Sequence, residues 1–207
     1  MKIVTFLLPL FITSCSLFGI QNEEGPKYKV LIKDGEFEIR KYEPYIVAKT
    51  ILKGNFDDSS GDGFRILAGY IFGKNKGDKK IAMTSPVKMN QESTKIAMTS
   101  PVKMNQSGDS FTMAFSMPSQ YTLANLPEPL DNRITFQKLE SRLVASHKFS
   151  WLSSKKKNDQ KAKELREWLK EHNQYKAMDN YSYAGYNPPW TIPFLRRNEV
   201  HIELHHN

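Results

Sequence analysis

The sequence predicts an α+β domain: a curved antiparallel sheet or distorted open barrel with two helices outside it, arranged as a pseudo-twofold repeat of strand-helix-strand halves. Three observations carry this expectation. Only Phe64–Phe72 and Lys155–His172 hold apolar residues at helical spacing. Eight short segments around them alternate apolar and polar residues or are rich in β-branched side chains. The order along the chain is strands, helix, strands, and then the same again.

Tyr28–Ile32 and Phe37–Tyr42 flank the turn signal Asp34-Gly35, and Tyr45–Leu52 follows Glu43-Pro44 as a third strand. Asn55–Gly63 reads as a polar, Gly-rich loop ending in a helix cap. Its Asp57, Asp58 and Asp62 do not have the spacing of a calcium loop. Phe64, Leu67, Ala68 and Ile71 then form one helical face, stopped by Gly73. Phe111–Met117, Ile134–Leu139 and Arg142–Phe149 are strands. Ser153 or Ser154 caps the second helix, whose Ala162, Leu165, Trp168 and Leu169 face a core. Asn180–Tyr186 and Glu199–Leu204 close the sheet on either side of a proline-rich loop, Asn187–Asn198.

Between the first helix and the Phe111 strand, KIAMTSPVKMNQ occurs twice without a change, at Lys80–Gln91 and Lys95–Gln106, a period of fifteen. An odd shift would turn a strand's faces over, so the copies cannot simply slide past one another. One copy is expected in a strand and the other in a surface loop, where added length costs little. The two copies have equivalent flanks, which leaves open which one fills the strand.

The first fourteen residues read as an address. Lys2 precedes the apolar run Ile3–Ile12, which is too short to span a bilayer as a helix, and Ile12-Thr13-Ser14-Cys15 resembles the bacterial lipobox. The domain expectation is therefore a lipoprotein signal over 1–14, a flexible tether over 15–26 from an acylated Cys15, and one folded domain over 27–207 that contains the tandem duplication at 80–106. Palmitate-type acyl chains would hold the mature protein at the cell envelope. Ser16 after the cysteine favours the outer membrane. Cleavage before Cys15 removes one lysine and no acid, so the net charge falls from +8 to +7.

Cys15 is the only cysteine, which excludes an intramolecular disulfide and a Cys-based nucleophile or metal site in the folded body. No zinc-finger spacing, Walker loop or RNP-like string occurs, so the basic balance reads as a solvated surface and no nucleic-acid partner is expected. G-x-S-x-G and H-E-x-x-H are also absent, and no catalytic constellation emerges. His147, His172, His201, His205 and His206 each read as structural or surface residues, and no metal site is expected. The unusual stretch is Pro188–Arg197. It places Trp190, Ile192, Phe194 and Leu195 on a segment that its prolines keep from being a regular strand, followed at once by Arg196 and Arg197. Such a segment either covers the end of the sheet or walls a pocket for an amphiphilic anion with a planar body.

Four stretches, in this order, resemble the SOUL heme-binding protein family: FEIRKYEPYIVAKT (Phe37–Thr50), GYIFGKN…KIAMTSPV from Gly69, FSMPSQYTLANLPEPLD (Phe115–Asp131) and YAGYNPPW…RRNEV (Tyr183–Val200). The resemblance spans Tyr28 to Leu204 and implies the same two-helix curved-sheet fold. It also implies non-enzymatic binding of heme or a related tetrapyrrole in an apolar groove between the first helix and the loop joining the last two strands. On this sequence the groove would be walled by Phe64, Leu67, Ala68, Ile71, Trp190, Ile192 and Phe194. Arg65, Arg196 and Arg197 would meet the propionates. Neither wall holds a histidine, so strong axial ligation is not expected, and Met83 and Met98 read as packing residues. The competing functions are a binder or hydrolase of another amphiphile on the same fold, and a surface interaction lipoprotein that uses the duplicated segment.

Overall fold

The computed structural model describes residues 23–54, 56–91, 110–188 and 190–206. The segment expected as a signal, Cys15, the second copy of the repeat with its Met98, and Pro189 lie outside the described residues. The elements are β1 (Tyr28–Asp34), β2 (Phe37–Tyr42), β3 (Tyr45–Lys53), α1 (Phe56–Ile71), β4 (Val87–Gln91), β5 (Ser110–Ser116), β6 (Thr135–Leu139), β7 (Arg142–Phe149), α2 (Lys155–Leu169), β8 (Tyr175–Ala177), β9 (Ser182–Gly185), a 3₁₀ turn (Pro193–Leu195) and β10 (Asn198–His206). All strand pairs are antiparallel, in the order β1-β2-β7-β10-β9-β4-β5-β3-β6, with β8 also on β10. The sheet curls into a half-barrel.

Period-2 alternation decides what faces the helices. Ala48, Leu52, Met89, Phe111, Met113 and Phe115 form one core with Leu67, Tyr70 and Ile71 of α1. Ile39, Ala145, Phe149, Val200, Ile202 and Leu204 form the other with Ala162, Leu165 and Leu169 of α2. Each helix thus covers one half of a single sheet, the two-half arrangement that the order of segments predicts.

Most strand ends shift by one or two residues, and the larger differences from the expected elements concern the two helices and β8. The stretch 56–63, expected as a loop, is helical: α1 begins at Phe56 and runs through Gly61 and Gly63. Glycine in a polar stretch reads as a breaker, but Gly63 serves close approach. A Cβ there would lie 2.5 Å from Leu52 Cδ1 and 3.1 Å from Met113 Sδ, so its absence lets α1 settle on β3 and β5. The three-residue strand β8 has no counterpart in the sequence reading, because three residues are too few for a period to show. The second helix ends at Leu169, so His172 lies beyond it rather than in its last turn.

The first copy of the repeat fills the strand. Val87–Gln91 pairs with β5 on one side and β9 on the other. Gln91 pairs with Phe111, so β4 and β5 are antiparallel neighbours that follow one another in the chain. Removing one period of fifteen, residues 92–106, would leave Ser107-Gly108-Asp109-Ser110, a turn sequence of ordinary hairpin length. The added fifteen residues therefore fall between two neighbouring antiparallel strands, where extra length costs little.

Deleting residues 92–106 is expected to preserve the fold and, by lowering loop-closure entropy, to stabilise it by about 1 kcal/mol. Thermal melts of the two chains check this, and a lower Tm in the deletion would show that the second copy contributes to the folded core. Gly63→Val is expected to destabilise by about 1–3 kcal/mol through overpacking against Leu52 and Met113, read as a lower urea midpoint with an unchanged slope.

Candidate functional site

The face of the sheet opposite the helices carries a buried ionic network. Along β10, Val200, Ile202 and Leu204 point to α2, so Glu199, His201 and Glu203 point the other way. Glu199 is fully buried. Its carboxylate accepts from Arg40 Nη1 of β2 at 2.7 Å and Arg40 Nη2 at 3.1 Å. It also accepts from Arg197 Nη2 at 2.6 Å and Nε at 2.9 Å, from Tyr186 Oη at 2.8 Å, and from His201 Nε2 at 2.7 Å. Burial works to raise the Glu199 pKa, but these donors and the two guanidinium charges hold it well below the carboxylate range. Burial, aided by the Lys88 charge, lowers His201 to about 4. Neutral His201 then donates through Nε2 and leaves Nδ1 as a buried acceptor without a protein partner. The sequence reading placed His201 outward from Val200 and Ile202. It does leave the α2 core, but it is buried in this second polar interior.

This network positions the proline-rich loop. Arg197 stacks over the Tyr186 ring at 4.0 Å while it bonds Glu199. Tyr186 N donates to Arg197 O at 3.1 Å, and Arg197 N donates to Asn187 Oδ1 at 2.7 Å. The loop stem is thus locked from below. On its upper side Trp151 N donates to Pro193 O at 2.9 Å, and Asn198 Nδ2 donates to Trp151 O at 2.7 Å.

The helix-side floor next to this loop is set by strand register. Phe115, Val87, Gly185, Asn198 and Phe149 form one row across β5, β4, β9, β10 and β7. Phe64 of α1 packs on Phe115, with ring centroids 5.5 Å apart. The base of the 187–197 loop stands at Asn198, three strand spacings away, roughly 15 Å. Gly185 keeps the floor between them shallow, since a Cβ there would meet Tyr183 Oη at 2.9 Å. Tyr183 packs on both cores and bonds Asn198 Oδ1 at 2.7 Å.

The residues expected in the groove divide into groups on this frame. Leu67, Ala68 and Ile71 are buried in the α1 core, and Phe64 is half-buried at its edge. Trp190 and Phe194 are 63% and 57% exposed, and Ile192 is half-buried. Arg65 pairs with Asp62 at 2.9 Å in a cleft of about 300 Å³ that it shares with Tyr70, Lys74, Asp131 and Arg133, none of them from the loop. Arg197 is committed to Glu199. Arg196 is half-buried beside the apolar loop residues, with Nε on Thr191 O at 2.8 Å. Met83 packs against the α1 core. His147 lies against Phe37 and Glu164, and His172 against Trp168. Among the described residues no group of three His, Cys, Asp or Glu is arranged to hold a metal ion.

Sequence reading missed Trp151 and Leu152, which are 58% and 56% exposed beside the loop. Their signal was a Trp-Leu pair in the short polar link between a strand and a helix. A separate cavity of about 570 Å³ lies between the N-terminal segment Glu24–Lys27, the β2–β3 turn and the 117–124 loop, with Tyr45, Met117, Tyr121 and Leu123 in its walls.

The SOUL heme-binding protein model matches residues 23–203. The chain belongs to the SOUL heme-binding protein family. It is 32% identical over 186 residues to heme-binding protein 1 of Xenopus laevis, covering 89% of this chain and 92% of that protein. Heme-binding protein 2 of Homo sapiens is 30% identical over 165 residues, covering 79% of this chain and 75% of the relative. In three dimensions the chain resembles the C-terminal domain of EcmrR, with a TM-score of 0.58 at 11% identity over 87% of this chain and 99% of that one. It also resembles a hydrolase from Listeria innocua, with a TM-score of 0.53 at 8% identity over 84% and 94% of the two chains. These identities establish a shared fold and nothing further.

Stability is expected to fall as pH drops from about 6.5 to 4. The unfolded chain protonates His201 near its ordinary value, whereas the folded chain does so only near 4, so the unfolded state binds more protons in this window. Below it, protonation of Glu199 removes the carboxylate that Arg40 and Arg197 share, leaving Arg40 with Glu38 alone. The slope is about 1.4 kcal/mol per pH unit for one full proton. Urea titrations at pH 7, 6, 5 and 4.5 measure it, and His201→Gln is expected to flatten it. Glu199→Gln is expected to cost about 3–5 kcal/mol at pH 7, because buried Arg40 keeps only Glu38 on its Nε at 2.7 Å and half-buried Arg197 loses its carboxylate partner.

Proposed function

We propose that the protein binds heme or a related tetrapyrrole, without enzymatic turnover, on the helix side of the sheet between α1 and the 187–197 loop. Family membership supports the ligand class. The observation that carries the location is the pair of exposed aromatic side chains, Trp190 and Phe194, on an irregular loop fixed in place by the Glu199 network. A macrocycle laid against them would bury apolar area, the main source of affinity in such sites. Arg196, next to these rings, would meet a propionate by a charge-assisted bond. His147, His172 and His201 are engaged elsewhere, so the group would be held by its faces and edge rather than by strong axial ligation by histidine. Heme would supply its own iron chemistry. This chain's residues would hold and orient it. Cys15 would carry the acyl chains that keep the domain at the cell envelope, with the outer membrane favoured.

The body from Glu23 onward contains the whole described sheet and both cores, so it is the form to test. Hemin titrated into it is expected to give a saturable Soret shift at low micromolar concentration. Trp190→Ala with Phe194→Ala is expected to weaken binding at least tenfold, and Arg196→Ala severalfold. A titration without saturation would overturn the reading. In the full chain, Cys15→Ser is expected to release the protein from the membrane fraction.

A second reading has one specific observation behind it. The cavity of about 570 Å³ under Glu24–Lys27 has the size of a small-molecule site and partly aromatic walls. If another amphiphile is the ligand, Ala124→Trp at its mouth would abolish binding and the Trp190 and Phe194 substitutions would not.

A further inference from the structure

The exposed apolar residues of the 187–197 loop belong to a larger patch. Trp151 and Leu152 on the β7–α2 link, and Trp190, Phe194 and Leu195 on the loop, are between 37% and 63% exposed. The two segments are joined by the Trp151 N to Pro193 O bond. Trp151 sits at φ +76°, a left-handed conformation that costs a bulky residue about 1 kcal/mol or more. Its backbone is clamped there by Pro193 O and the Asn198 side chain while its ring remains in solvent.

Directly after this patch α2 starts with Lys155, Lys156 and Lys157 and has no acid in its first turn. A helix N-terminus carries partial positive charge, so three lysines there oppose the dipole. The local rule is broken beside a patch of exposed tryptophan and leucine, and such breaks mark function rather than stability. Lysines flanking aromatic side chains match an anionic lipid surface: the rings enter the interface, and each lysine contributes attraction at the headgroups.

The N-terminal segment enters the body at this same end. Ser85 N donates to Glu24 O at 2.9 Å, Ser85 Oγ to Tyr186 O at 3.4 Å, and Tyr186 N to Arg197 O at 3.1 Å. A chain arriving from a membrane would therefore bring this end toward the bilayer.

We infer that Trp151, Leu152, Trp190, Phe194 and Leu195, with Lys155–Lys157, form a second membrane contact that docks the domain face-on to anionic lipid, so that the proposed ligand groove opens at the bilayer surface. The contact requires neither the acyl anchor nor the tetrapyrrole.

The test uses the body from Glu23 onward, without any anchor, and vesicles of phosphatidylcholine alone or with phosphatidylglycerol. Co-sedimentation is expected with the anionic vesicles and at least tenfold less with phosphatidylcholine alone. Tryptophan emission should shift to the blue on binding. Trp151→Ser with Leu152→Ser, and separately Lys155→Gln with Lys156→Gln and Lys157→Gln, should each weaken binding at least tenfold, and the lysine variant should leave hemin titrations within twofold of the parent. The lysine variant should melt within a few degrees of the parent, because relief of the helix dipole offsets the loss of the exposed Lys155–Asp159 pair and of the Lys157 contacts to Ser150 O and the Phe149 ring. Failure of the parent to sediment with anionic vesicles would overturn the inference, as would full binding by the lysine variant. So would a parent that is a dimer in sedimentation velocity and becomes monomeric on Trp151→Ser with Leu152→Ser, since the patch would then join two copies. Loss of hemin binding in the parent, with vesicle binding intact, would remove the proposed function alone.

Discussion

One buried carboxylate organises the polar half of this molecule. Glu199 brings a charge into the interior of the half-barrel, where solvation is lost, and that is tolerable only with close countercharge and filled hydrogen-bond positions. Arg40 reaches it from β2, Arg197 from the end of the proline-rich loop, Tyr186 from the end of β9, and His201 from two residues along the same strand. The side chains that satisfy Glu199 therefore also fix where β2, β9 and β10 meet and where the loop leaves the sheet. Apolar packing against the helices does not specify that geometry, since it acts on the other face.

The constraint passes from the network to the surface. Arg197 is the last residue of the loop and is held by both Glu199 and the Tyr186 ring. The aromatic side chains a few residues before it are consequently displayed from a fixed base, despite a backbone too rich in proline to pair in a sheet. Trp151 is added to the display by a hydrogen bond from the neighbouring link. A rigid apolar surface loses less entropy on meeting a flat ligand or a bilayer than a mobile one would. The lysines at the start of α2 and Arg196 give that surface a cationic border.

Much of the fold was legible in the residues. Phe37–Tyr42 and Arg142–Phe149 match β2 and β7 at both ends because alternation runs through the whole strand. Ala162, Leu165 and Leu169 were legible as the buried face of α2 for the same reason at helical period. The start of α1 was not legible, because Gly63 serves a close approach to Leu52 and Met113 that only the folded sheet creates. The candidate site was legible in part. Trp190 and Phe194 stood out as apolar bulk on a segment that could not be a strand. Arg65 and Arg197 were read by their charge, yet one turns to Asp62 beside another cleft and the other is consumed by Glu199. Trp151 and Leu152 lie some forty residues away in sequence and gave no local sign of their neighbours.

The periods, the turns, the two-helix α+β class and the duplicated segment could all be read from the residues alone. These depend on local spacing and backbone chemistry, which each stretch carries alone. Which copy fills the strand, which arginines are neutralised and which distant aromatic residues share one surface emerge only once the strands are assembled. Those outcomes depend on strand order and on who meets Glu199 across the sheet. Partner choice between residues 40, 186, 197 and 199 is a long-range matter that no local period encodes.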